Sequence, residues 1–64
     1  MTYQVGDRVR IIKRNPFDEL GEGAAVGDVG TVVEVGSYGL RVRFDRPDFL
    51  WWVPLHAVEP EFTN

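Results

Sequence analysis

The sequence has no cysteine and only one histidine among its 64 residues. Without cysteine, the chain cannot form disulfides, thiolate nucleophiles or sulfur-ligated metal sites, and the cytoplasm is the expected location. His56 has no second plausible metal ligand beside it, so we expect it to be a surface residue. The sequence therefore predicts neither a metal site nor a cofactor.

Long apolar runs are also absent. No stretch approaches the roughly 18 apolar residues of a transmembrane helix, and residues 1–7 do not resemble a signal peptide. We therefore expect no membrane association. The formal net charge is -3, which argues against tight non-specific binding to phosphate backbones.

A catalytic set is missing as well. One histidine, few serines and threonines and scattered carboxylates do not supply a nucleophile with a positioned base. The Gly27-Asp28-Val29-Gly30 segment lacks the residues and the following helix of a phosphate-binding loop, so we interpret it as a strand entry. We expect a protein that is not an enzyme.

The residues that are present predict one small all-β domain spanning residues 1–64, with an ordered core of about residues 4–60. Alternation of apolar and polar residues predicts strands over 7–13, 29–35, 40–44 and 49–53, and a last short strand from Val58. Residues 14–27 are expected to form a long first loop, and residues 55–57 to form one short helical turn before the last strand. Five short strands favour a closed or nearly closed barrel, because closure removes exposed strand edges.

A hairpin through residues 36–39 is expected to join the second and third strands. A four-residue loop would place Val35 opposite Leu40, and it would pair Glu34 with Arg41 on the outer face. Val32 would then face outward unless a bulge at Gly30 turned it inward. The predicted inward residues of these two strands are Val33, Val35, Leu40, Val42 and Phe44.

Three short patterns resemble known small barrels. The stretches VGDRVRI at 5–11 and GDVGTVVEV at 27–35 resemble KOW-type barrels, and WVPLHAV at 52–58 resembles the end of SH3 domains. The stretches VRI at 9–11, GTV at 30–32 and VRFD at 42–45 are similar to the small peripheral barrel subunits of photosystem I. The resemblance implies a five-stranded SH3-like barrel. Ala57 stands where peptide-binding SH3 domains carry a tyrosine, which counts against a proline-rich ligand.

Trp51 and Trp52 are the most informative pair, because successive strand side chains point to opposite faces. Val53 is expected to face inward together with Trp51, so Trp52 is the exposed candidate for an interface anchor. The alternative is that Trp52 lies flat over one end of the barrel.

A protein-binding groove is the leading functional hypothesis. It would hold a basic partner through acidic loop residues, whereas the alternative is that the loop aromatics cover the core and the acidic loop only adds solubility. The protein would be a monomer or weak homo-oligomer, and a small inhibitor or accessory subunit. The candidate residues are Trp52, Phe17, Tyr38, Phe49, Asp18 and Glu19.

A second hypothesis is KOW-like binding of RNA or a transcription complex through outward arginines. Its alternative is cross-strand pairing of those arginines with Glu34 and other carboxylates. A third is a purely structural subunit of a larger assembly, using the same aromatic surface. The arginines concerned are Arg8, Arg10, Arg41 and Arg43.

Overall fold

An antiparallel sheet of five strands is the framework of the computed structural model, which describes residues 3–15, 25–45 and 49–61. The sheet has the order β4-β3-β2-β1-β5, so β4 and β5 are its edges and no ladder between them is present in the described part of the chain. The prediction of an all-β fold is confirmed. The strands are β1 (Arg8–Ile11), β2 (Val29–Val35), β3 (Leu40–Phe44), β4 (Leu50–Val53) and β5 (Val58–Pro60), and a 3-10 turn spans Leu55–Ala57.

The first strand is shorter than the predicted range of 7–13. The Ile12 amide leaves the ladder and donates to the Ala57 carbonyl oxygen at 2.8 Å, which binds the end of β1 to the 3-10 turn. The Ile12 side chain is exposed. At the other end of the chain, Pro60 pairs with Val9. Proline is tolerated there because β5 lies at an edge of the sheet.

The hairpin register is partly as predicted. Val35 pairs with Leu40 and Glu34 with Arg41, but Val42 pairs with Val32 and not with Val33. A β-bulge between Val32 and Glu34 causes the shift, because its extra residue reverses the alternation. Val32 is therefore buried, and the predicted inward orientation of Val33 is wrong.

Val35 is a second correction to the predicted core. Its side chain is exposed at the hairpin end of β2, where the strand leaves the sheet. The remaining predicted inward residues, Leu40, Val42 and Phe44, are buried. The bulge and the end of the strand together move two valines from the predicted core to the surface.

A single apolar cluster draws on all five strands, so the sheet must curl around it. Tyr3, Phe49 and Trp51 pack against this cluster and are partly buried. Close approach of β2 to β3 depends on Gly30, where a Cβ atom would lie 2.5 Å from the Arg43 carbonyl oxygen. The buried members are Val9, Ile11, Val32, Leu40, Val42, Phe44, Val53 and Val58.

The Gly27-Asp28-Val29-Gly30 segment is a strand entry, as predicted, and a turn at residues 26–27 precedes β2. Gly27 has a φ of 97°, a left-handed conformation that favours glycine. The Gly27 amide donates to the Ile11 carbonyl oxygen at 2.8 Å, and the Ala25 amide donates to Asp28 Oδ2 at 2.9 Å. These bonds fix the conformation of the turn, so that β2 begins next to β1.

Candidate functional site

The adjacent tryptophans lie on opposite faces of β4. Trp51 pairs with the buried Val42 and faces the core, whereas Trp52 pairs with Arg41 and faces outward with 39% of its surface exposed. Trp51 stacks on Phe49, with ring centroids 5.8 Å apart and an interplanar angle of 14°. Trp52 is therefore the outward tryptophan, as the alternation predicts.

Four outward side chains of β3 and β4 form a continuous surface, which we call the β3–β4 face: Arg41, Arg43, Leu50 and Trp52. Arg41 is the cross-strand partner of Trp52, and Arg43 is the partner of Leu50. Leu50 is 41% exposed, so two large apolar side chains lie beside two guanidinium groups. Neither strand contains an aspartate or glutamate.

The β2–β3 hairpin borders this face. A Cβ atom at Gly36 would lie 3.0 Å from Trp52 Cζ3, which places the Trp52 indole against the hairpin backbone. The hairpin is closed by the Gly36 amide, which donates to the Gly39 carbonyl oxygen at 2.8 Å. Tyr38 lies within the hairpin and is 87% exposed. Trp52 and Tyr38 thus belong to neighbouring parts of the surface.

Phe49 does not share the surface of Trp52. Its ring lies 5.5 Å from the Phe44 ring and stacks on Trp51, so it packs against the core. The structure therefore does not bring the Phe49 ring together with Trp52, and the ring is partly buried. The other loop candidates, Phe17, Asp18 and Glu19, lie outside the described residues.

Leu50 and Val33 are exposed residues that sequence reasoning did not assign to a site. The register with β3 would have indicated the exposure of Leu50, because Leu50 pairs with the outward Arg43. Val33 is 39% exposed as a result of the bulge, for which the local sequence gives no clear signal.

Arg8 forms the shortest ion pair of the described residues. Its Nη1 and Nη2 donate to the two carboxylate oxygens of Asp45 at 2.7 Å and 2.6 Å, and its Nε lies 3.5 Å from Glu61. The hydrogen bond to Arg8 lowers the pKa of the Asp45 carboxyl and raises the pKa of the Arg8 guanidinium. This bidentate geometry is the one that favours guanidinium–carboxylate recognition.

The other three outward arginines differ in their partners. Arg10 lies 3.9 Å from both Glu59 and Glu61, and Arg41 lies 3.6 Å from Glu34. No ion pair joins Arg43 to a carboxylate of residues 3–15, 25–45 or 49–61. Ion pairs thus involve three of the four arginines of the proposed patch.

Asn15 holds the backbone of Trp52 through a side-chain hydrogen bond. It is a buried polar residue with only 2% of its surface exposed, and its Nδ2 donates to the Trp52 carbonyl oxygen at 2.8 Å. Sequence reasoning placed Asn15 in the long loop and missed this contact. The bond connects the segment after β1 to the edge strand β4.

His56 is exposed on the 3-10 turn, and the described residues contain no cluster of potential metal ligands. Nor does the described part of the chain contain a helix long and apolar enough to cross a membrane. Comparison with protein-family models, curated proteins and solved structures finds no match to this chain. The β3–β4 face is therefore the feature of the molecule from which a function can be inferred.

Proposed function

We propose that the chain is a non-enzymatic protein-interaction module that docks on a protein partner through the β3–β4 face. The outward, 39% exposed Trp52 of the edge strand β4 is the observation that carries the proposal. Tryptophan is enriched among the residues that dominate binding energy at protein interfaces. Leu50 beside it and Tyr38 on the hairpin extend the surface that a partner would cover.

The surroundings of Trp52 favour an anchor that is held in place before binding. Its ring rests against Gly36 and its backbone carbonyl is bonded to Asn15. A side chain that is already positioned loses less conformational entropy on binding. The same packing explains why a large part of the ring remains covered in the free chain.

An SH3-like fold is part of this proposal. The 3-10 turn between β4 and β5 is the feature that the resemblance to SH3 domains implies for residues 52–58. One core shared by five curled strands is compatible with a small barrel. On this reading the domain is a cytoplasmic inhibitor or accessory subunit that works by occupying a surface of its partner.

The nucleic-acid hypothesis receives less support, and the structural-subunit hypothesis predicts a different behaviour of the isolated chain. Three of the four arginines of the nucleic-acid hypothesis face carboxylates, which reduces the charge available to neutralise phosphates. A purely structural subunit would use the same aromatic surface. In that case the isolated chain would aggregate or self-associate, because its apolar surface would be left uncovered.

An NMR titration of the labelled domain tests the proposal. Protein and nucleic-acid fractions of the host are added separately, and we expect protein fractions to shift the amides of Leu50, Trp52 and Tyr38. The Trp52→Ala variant should lose these shifts and stay folded. Leu55→Ala is the matched control, because Leu55 is an exposed apolar residue on the 3-10 turn.

Two results would contradict the proposal. Shifts confined to the arginines with nucleic acid, and abolished by salt, would favour the nucleic-acid hypothesis. An unfolded Trp52→Ala variant would show that Trp52 serves the core and not a partner.

A further inference from the structure

The charge on the β3–β4 face is opposite in sign to that of the whole chain. The chain carries a formal net charge of -3, whereas β3 and β4 together contain two arginines and no carboxylate. Glu34 on β2 lies 3.6 Å from Arg41 and offsets one of these charges. Arg43 is left without a carboxylate partner among the described residues.

The register places this charge beside the apolar side chains. Arg43 is the direct cross-strand neighbour of Leu50, and Arg41 is the neighbour of Trp52. Cross-strand neighbours on one face lie about 5 Å apart at Cβ, close enough for one ligand segment to contact both. A guanidinium group at such a surface selects a carboxylate, which it can bind bidentately.

From this arrangement we infer that the partner segment of the proposed docking site is acidic and apolar, with carboxylates beside large hydrophobic side chains. The inference rests on the proposed function and specifies its partner chemistry. It reverses the sequence-based expectation of a basic ligand, which depended on the acidic loop residues Asp18, Glu19 and Glu22. Nucleic acid is disfavoured because three of the four arginines lie beside carboxylates in the described structure, which leaves Arg43 alone to neutralise a phosphate.

Selection from a random dodecapeptide display library provides the probe. The immobilised full chain is used as bait, and peptides retained equally by Trp52→Ala are discarded. We expect the remaining peptides to be enriched in Asp and Glu next to aromatic or aliphatic residues. Their affinity should fall roughly two- to fivefold in Arg43→Gln at low salt, the range for loss of one exposed ion pair.

Arg10→Gln is the matched charge control. It removes the same unit of charge from the outer face of β1, which is separated from β4 by β2 and β3. We expect it to leave the affinity for the selected peptides nearly unchanged. An equal loss in both variants would mean that the peptides respond to net charge alone, and it would overturn the inference.

A pair of variants at one position isolates the sign of the charge. Leu50→Lys and Leu50→Glu both remove the apolar side chain, and the exposed site tolerates either. An acidic peptide should bind the lysine variant about fivefold more tightly at low salt, with the difference shrinking as salt is added. Equal or reversed affinities would overturn the inference even if Trp52→Ala failed to fold.

The remaining outcomes separate the inference from the proposed function. Trp52-dependent peptides that are neutral or basic would overturn the acidic partner and leave the docking module intact. A failure to select any Trp52-dependent peptide would overturn both. Tighter Trp52-dependent binding of a single-stranded oligonucleotide than of any selected peptide would also overturn both, in favour of nucleic acid.

Discussion

The side-chain amide of Asn15 donates a 2.8 Å hydrogen bond to the backbone carbonyl of Trp52. The Phe44 amide donates to the Phe49 carbonyl oxygen, so alternation along the β3–β4 ladder directs the Trp52 carbonyl away from β3. Asn15 thus satisfies an acceptor on the outer edge of the sheet. One buried side chain thereby fixes the backbone that presents the proposed anchor.

Removing this bond should destabilise the protein. Asn15→Ala deprives the Trp52 carbonyl of its donor and leaves a gap at a nearly fully buried position. We expect the free energy of unfolding to fall by about 1–3 kcal/mol, as for other buried groups that lose a partner. Urea unfolding measures the change, and the Trp52 indole N–H resonance should shift in the folded variant.

Lys13→Ala is the control for Asn15→Ala. Lys13 precedes Asn15 by two residues and is exposed, so its loss should change stability by less than about 0.5 kcal/mol. Equal stability of Asn15→Ala and the wild type would show that the bond to Trp52 contributes nothing.

The two tryptophans should differ in their contribution to stability. Trp51→Ala removes a ring stacked on Phe49 and packed against the core, and we expect a loss of about 3 kcal/mol. Trp52→Ala removes a ring that is partly exposed on the outer face, and we expect a loss of about 1 kcal/mol. Urea unfolding of both variants checks the order, and a larger loss in Trp52→Ala would reverse the assignment of core and surface.

Gly30 should be intolerant of a side chain. A Cβ atom there would lie 2.6 Å from Val42 Cγ1 and 2.8 Å from Phe44 Cα, in addition to its contact with the Arg43 carbonyl oxygen. Because two of these atoms belong to the backbone of β3, Gly30→Ala must separate the strands, and we expect a loss of about 3 kcal/mol or more. Thermal unfolding measures it.

Gly36→Ala is the matched control for Gly30. Its nearest neighbours are two atoms at the far end of the Trp52 ring, at 3.0 Å and 3.3 Å, which can move. We expect a loss below about 1 kcal/mol together with shifted Trp52 indole resonances. Similar losses in the two variants would contradict the close approach of β2 and β3 at Gly30.

Alternation predicted much of the architecture because it reports which face each strand buries. The bounds of β2 and β3 and the outward orientation of Trp52 followed from it directly. The bulge after Val32 could not be predicted from alternation, because it depends on how β3 packs against β2. The Asn15 contact also lay beyond reach, since it joins residues 37 positions apart with no local pattern linking them.

The Arg8–Asp45 pair should make the free energy of unfolding depend on pH in the acidic range. Arg8 lowers the pKa of Asp45 in the folded chain below the value of about 3.9 typical of an unfolded aspartate. The folded state therefore binds fewer protons than the unfolded state, so the contribution is fully present above that value. It is lost as the pH falls through the lowered pKa of folded Asp45.

Urea midpoints measured from pH 7 down to pH 2 test this dependence. Asp45→Asn should be less stable than the wild type at neutral pH, and the two should converge as Asp45 of the wild type becomes protonated. In an Arg8→Gln background the same substitution should have little effect at any pH, because the partner is already absent. A constant gap between wild type and Asp45→Asn down to pH 2, or an undiminished effect without Arg8, would show that the bidentate pair is not the source of the acid dependence.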